Sequence, residues 1–301
     1  MGFLFVVLML ALGGAAQAQG LTERRWQPPG DGPALLAERP KRALESRSPL
    51  IDLGELWFRD PGILGGEARR MGLACNACHP EGAANRRFFI EGVSDHPGRF
   101  DPTNAIFNPL ADDGAFAPVD IPSLRGVAGK SRFGTVAPTT SLRDFVRHVI
   151  VVEFMGTEPT PFLLDALLAY VRALPPAEDK TTERIGLAGA IDDLLRWGRA
   201  AATLLAQDGG ADAASALAAL RTALGQVHAR FADPSLEAER AWIEQGGVRL
   251  GLLGRQAETG KGEDAAAALQ AWLVELAARR PALLAVESRT LFDPVRLAET
   301  R

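Results

Sequence analysis

Met71-Gly72-Leu73-Ala74-Cys75-Asn76-Ala77-Cys78-His79 is the stretch on which the reading of this chain turns. It holds both cysteines of a 301-residue sequence, separated by two residues, with a histidine directly after the second. A Cys-x-x-Cys pair serves as a redox dithiol, as half of a zinc site, or, with His following, as an attachment point for haem. The first use wants a βαβ context and the second another cysteine pair, and the sequence offers neither.

The specified third residue therefore decides the reading. The spacing lets Cys75 and Cys78 form thioethers to one porphyrin edge, and His79 then turns its imidazole to the iron. One covalently attached haem c is the cofactor expected, with His79 as its proximal ligand. For the sixth position the candidates are Met155, His148 and His96, or a site closed by water or by no protein group. Met155 is preferred, because it stands between Phe154 and Gly156 where a helix should end and the chain can turn back. A thioether there favours Fe(II) and raises the potential. Met71 reads as core, and His228 as a solvated helix residue.

Upstream, MGFLFVVLMLALGGAAQAQG carries an uncharged apolar run from Phe3 to Ala16, then the small-x-small pattern Ala16-Gln17-Ala18. This predicts a signal peptide over 1–18, a mature chain starting at Gln19, and export to the periplasm. An uncleaved anchor is the alternative, although the run is shorter than the ~20 apolar residues a span needs. No second apolar span follows, so no membrane crossing is expected after cleavage. The formal net charge is −4, with arginines and carboxylates interspersed. No basic run interleaved with aromatics appears, which argues against nucleic acid as a partner.

Residues 19–47 read as a Pro-, Gly- and Arg-rich lead-in, and 48–176 as a haem domain. Within the latter a helix is predicted from Ser48, and a short one from Glu67 to Ala74. A loop-rich segment runs from His79 to about Ser141, with a turn at Asp112-Asp113-Gly114. Further helices are predicted from Ser141 to Phe154, and from Thr160 to the Pro175-Pro176 stop. So long a stretch without periodicity is unusual in a compact domain and suits a chain wrapped around a large apolar group. Beyond 176–183 the composition turns to Ala, Leu, Glu and Arg. Helices are predicted at about 184–206, 211–231, 235–254 and 263–279, an antiparallel bundle filling 184–301. The fold class expected is all-α, a cytochrome c-like domain followed by a helical bundle.

Leu56 to Leu174 resembles the C-terminal haem domain of bacterial di-haem cytochrome c peroxidases and of the related methylamine dehydrogenase maturation enzyme. The resemblance rests on pieces occurring in order: Gly62-Ile-Leu-Gly-Gly66, Met71-Gly-Leu-Ala74, the haem motif, Asp120-Ile-Pro-Ser-Leu-Arg-Gly126, Ser141-Leu-Arg-Asp-Phe-Val146 and Leu163 to Leu174. It implies that Arg125 lies beside the haem and meets a propionate with its bidentate fork. It also implies a methionine ligand downstream of the motif. Phe88, Phe89, Phe100, Phe107, Phe116 and Phe133 would wall the haem. Two features depart from the family: the single Cys-x-x-Cys-His, where its peroxidases carry two haem domains, and Lys130-Ser-Arg-Phe-Gly-Thr135 in place of a His-Asp-Gly triplet.

The function expected is single-electron transfer between redox partner proteins by a periplasmic mono-haem cytochrome. A peroxidase-like enzyme is one alternative. An interaction protein whose bundle docks a redox partner is another.

Overall fold

The computed structural model describes residues 36–42, 44, 46–176, 181–207 and 209–299. The expected signal peptide and most of the lead-in lie outside the described residues. Helix accounts for 60% and strand for 5%, so the chain is mostly helical as expected, with ten α-helices among the described residues. None of them is long and apolar enough to cross a membrane.

Helix α1, Pro49–Phe58, starts as its sequence dictates: Pro49 fits the first turn, and the Ser48 hydroxyl accepts from Ile51 N–H at 3.2 Å. It buries Leu53, Leu56 and Trp57. After it come two short helices, α2 (Gly66–Arg70) and α3 (Cys75–Cys78). The helix predicted over 67–74 thus ends early, at Arg70. Gly72 at φ 70° turns the chain after Met71, which frees the motif to form its own turn.

Helix α4, Leu142–His148, is capped by Ser141 and runs into a π-helical turn, Val149–Glu153. Helix α5, Pro161–Ala173, is capped by Thr160 and lies against α1. Their backbones approach so closely that a Cβ on Gly54 would land on the Ala166 carbonyl.

Four long helices follow: α6 (Leu187–Gln207), α7 (Gly210–Ala229), α8 (Glu237–Glu258) and α9 (Gly262–Ala285), with α10 (Pro294–Ala298) last. α7 packs on α8, α6 on α9, α6 on α7 and α8 on α9, closing a four-helix bundle. α9 runs past the predicted stop at 279, through Pro281. Pro281 has no N–H to give the Ala277 carbonyl, and both residues face solvent, so that carbonyl is not buried unpaired.

Two short antiparallel pairs add to the helices. β1 (Glu38–Pro40) joins β4 (Thr182–Arg184), and β2 (Arg99–Phe100) joins β3 (Val119–Asp120). The first pair stitches the lead-in to the segment before the bundle. The stretches on either side of 176–183 share one buried apolar cluster, which runs from Leu53 to Phe292. α1 packs against both α6 and α7, and Trp57 Nε1 donates to Ser215 Oγ on α7 at 3.1 Å.

Candidate functional site

α3 is a single turn. Cys75 and Cys78 are three apart and share its face, while Asn76 and Ala77 face back into the fold. The back is well anchored: Asn76 Oδ1 accepts from Glu81 N–H at 3.1 Å, and Asn85 Nδ2 donates to the Ala77 carbonyl at 2.8 Å. A cleft of about 1060 Å³ opens on that side, lined by Asn76, Ala77, Arg59, Trp197 and Arg230 among others. Neither thiol nor the imidazole borders it, so a group attached to the cysteines belongs on the opposite face.

Both cysteines are free. Burial pushes the Cys75 thiol up to about 12, and burial with the neighbouring Cys75 and Glu153 pushes Cys78 up further. The pair is therefore protonated at neutral pH, with neither a disulfide nor a thiolate.

His79 Nδ1 lies 3.0 Å from the Pro122 carbonyl. A carbonyl only accepts, so the proton sits on Nδ1 and the Nε2 lone pair is left for a metal. Burial pushes the imidazole down to about 4, against the upward pull of the Pro122 bond, so the ring is neutral at pH 7. Such a second partner is what orients ligating histidines and sets their tautomer.

Pro122 begins the segment that carries Arg125. The Arg125 side chain is buried, with Nε donating to the Glu81 carbonyl (3.2 Å) and Nη2 to the Lys41 carbonyl (2.7 Å). Nη1 is buried without a partner. Buried donors are nearly always paired, so this nitrogen fits an acceptor such as a propionate. Nε and Nη2 each give one N–H to a backbone carbonyl, which leaves both N–H groups of Nη1 for such an acceptor.

Met155 has φ 52°, in the left-handed region that a side-chain-bearing residue rarely occupies. It is held there by Gly65 N–H on the Phe154 carbonyl (3.0 Å) and Gly156 N–H on the Ile150 carbonyl (2.7 Å). A Cβ on Gly65 would collide with the Met155 carbonyl. The residue is thus pinned against the chain just upstream of the motif, yet its side chain is 44% exposed. Strained positions and π-helical turns of this kind cluster at functional sites.

His148 and Glu153 stand at the two ends of the π turn, His148 Nε2 lying 3.9 Å from Glu153 Oε1. Burial alone raises the Glu153 carboxyl to about 7, and its charge is felt at Cys78. His96 sits in an exposed turn, its ring at 3.1 Å from the Pro97 carbonyl. Of the six phenylalanines, Phe88, Phe100 and Phe107 are buried: Phe100 stacks on Phe154, Phe107 meets both of those rings at a tilt, and Phe88 meets Phe100 edge-on, whereas Phe133 is half-buried and Phe89 and Phe116 are exposed. Exposed Phe89, Ile106, Leu110, Phe116, Val136 and Met155 all fall in or beside the loop-rich segment.

The structure thus joins Cys75, Cys78 and His79 on one turn, sets Arg125 beside that turn, and pins Met155 to the chain leading into it. Pro122, Asn76, Glu81 and Glu153 were missed by sequence reasoning. Among the described residues, no three His, Cys, Asp or Glu side chains group to hold a bare metal ion. Set against known protein families, curated proteins and solved structures, the chain matches none.

Proposed function

We propose that this protein is a periplasmic mono-haem c-type cytochrome that passes single electrons between redox partner proteins. Its stretch from Leu56 to Leu174 is read as a relative of the C-terminal haem domain of the di-haem cytochrome c peroxidases. The observation that carries the reading is the His79 ring, whose Nδ1–H is committed to Pro122 and whose Nε2 is free, beside two free thiols on one turn. Cys75 and Cys78 would hold the haem, His79 and Met155 would ligate its iron, and Arg125 Nη1 would meet a propionate. The bound haem supplies a one-electron couple. The chain fixes the imidazole, excludes water with Phe88, Phe100, Phe107 and Phe154, and holds Met155 in a conformation it would not choose alone.

The test is the full chain expressed in a host competent to mature c-type cytochromes. One haem should survive acid-acetone extraction, and the ferric spectrum should be low-spin with the weak sulfur-to-iron band. Extractable haem, or none, overturns the reading.

Glu153 gives the enzymatic alternative its one specific observation. A buried carboxyl raised to about 7 is suited to take up and return a proton. A high-spin ferric protein that turns over peroxide, and loses turnover in Glu153→Gln, would favour a peroxidase.

A further inference from the structure

The densest cluster of buried charge lies behind the motif, where α1, α6 and the turn after His79 meet. Glu55, fully buried on α1, receives Arg47 at 2.8 Å, Arg196 at 3.0 Å and Arg59 at 3.3 Å. Glu81, equally shut from solvent, receives Arg59 at 2.6 Å and both Arg39 and Arg42 at 3.5 Å. Asp193 on α6 receives Arg42 through both oxygens and Arg196 at 2.7 Å. Five guanidiniums thus face Asp52, Glu55, Glu81 and Asp193, with Glu183 on the rim beside Arg39.

Glu81 is also a backbone node. Its φ is 51°, a conformation that persists only where the surroundings hold it. Its N–H donates to Asn76 inside the motif, and its carbonyl accepts from Arg125. The next residue, Gly82, donates its N–H to the His79 carbonyl at 2.9 Å. The turn that leaves His79 is therefore held by a carboxylate whose three arginines are themselves anchored on Asp193 and Glu55. The C-terminal helices reach the motif through these charges.

We propose that Glu81 is a positioning residue for His79 and that, with Asp193, it sets the field at the haem iron from behind the motif, so that the C-terminal helices tune a haem they do not touch. The proposal rests on the haem reading above. In a poorly screened interior, an anion beside the iron favours Fe(III) and a cation favours Fe(II). Removing a carboxylate charge raises the midpoint potential, and removing a guanidinium lowers it. Simple loosening would admit water and move every variant in one direction.

The test is a spectroelectrochemical titration of the full-length, haem-loaded protein and its variants Glu81→Gln, Asp193→Asn and Arg42→Gln, each checked for native helix content. Glu81→Gln and Asp193→Asn should shift the potential upward and Arg42→Gln downward, while Glu81→Asp stays near wild type. If Glu81→Gln fails to fold, the opposed shifts of Asp193→Asn and Arg42→Gln still carry the test. Shifts of one sign, or none, in haem-bearing variants overturn this proposal alone. A wild type without covalent haem overturns the haem reading and this proposal with it.

Discussion

The Pro122 carbonyl fixes which nitrogen of His79 carries the proton, and Met155 is pinned at φ 52° by bonds on both of its neighbours. Under the proposed haem reading, these residues act in separable ways. His79→Ala leaves both thioethers possible but removes the proximal ligand, so the product should carry haem yet lose the low-spin spectrum. A normal low-spin spectrum from that variant would exclude His79 as a ligand. Met155→Ala keeps the awkward backbone and removes the sulfur. It should abolish the sulfur-to-iron band and lower the potential, since thioether ligation favours Fe(II). Spectra identical to wild type would move the sixth position to His148 or to water.

The helices rest on caps and on one close approach. Ser48 caps α1 and Thr160 caps α5, and loss of either hydroxyl should cost about 1 kcal/mol in denaturant unfolding. Gly54→Ala should cost more, about 1–3 kcal/mol, because the added methyl would meet the Ala166 carbonyl and force α1 and α5 apart. An unfolding midpoint for Gly54→Ala equal to wild type would mean that this contact relaxes freely. The π turn after α4 is the element that places two of the candidate site residues. Its extra residue carries Glu153 inward and delivers Phe154 to Gly65, which turns Met155 over the approach to the motif.

Over the whole molecule, stability and the candidate site depend on the same buried charges. Burial pushes Glu55 up, but Arg59, Arg42, Arg196 and Arg47 outweigh it and hold the carboxyl below the usual range. With a lowered folded pKa, its contribution is complete above the unfolded value of about 4.3 and is lost as pH falls below it. Glu55→Gln should therefore destabilise the protein by about 3–5 kcal/mol at pH 7, leaving guanidiniums unpaired, and flatten the loss of stability between pH 4 and 2. Denaturant midpoints across that range measure both effects. A fragment ending at 176 should not hold its native fold, because Trp57 loses Ser215, Glu55 loses Arg196 and Arg42 loses Asp193. Native-like helix content and cooperative unfolding of the fragment would show that the first half stands alone.

Local chemistry made a good part of this legible in advance. Ser48, Thr160 and Ser141 are cap residues wherever they precede apolar periodicity, so three helix starts followed from the sequence, and the Ala- and Leu-rich segments declared their helices. Cys75, Cys78 and His79 are adjacent in the chain, and their shared turn needs no distant partner. What the tertiary structure alone decided are the contacts made across long stretches of chain. Pro122 meets His79 through a backbone carbonyl, a group every residue carries and no motif records. Arg125 donates to the Glu81 and Lys41 carbonyls, and β1 finds β4 across the whole first half. No motif marks Glu81 in the sequence. It is buried and left-handed because arginines from α1 and the lead-in, themselves held by Asp193 on α6, close on it, and no spacing rule carries a charge balance completed so far along the chain.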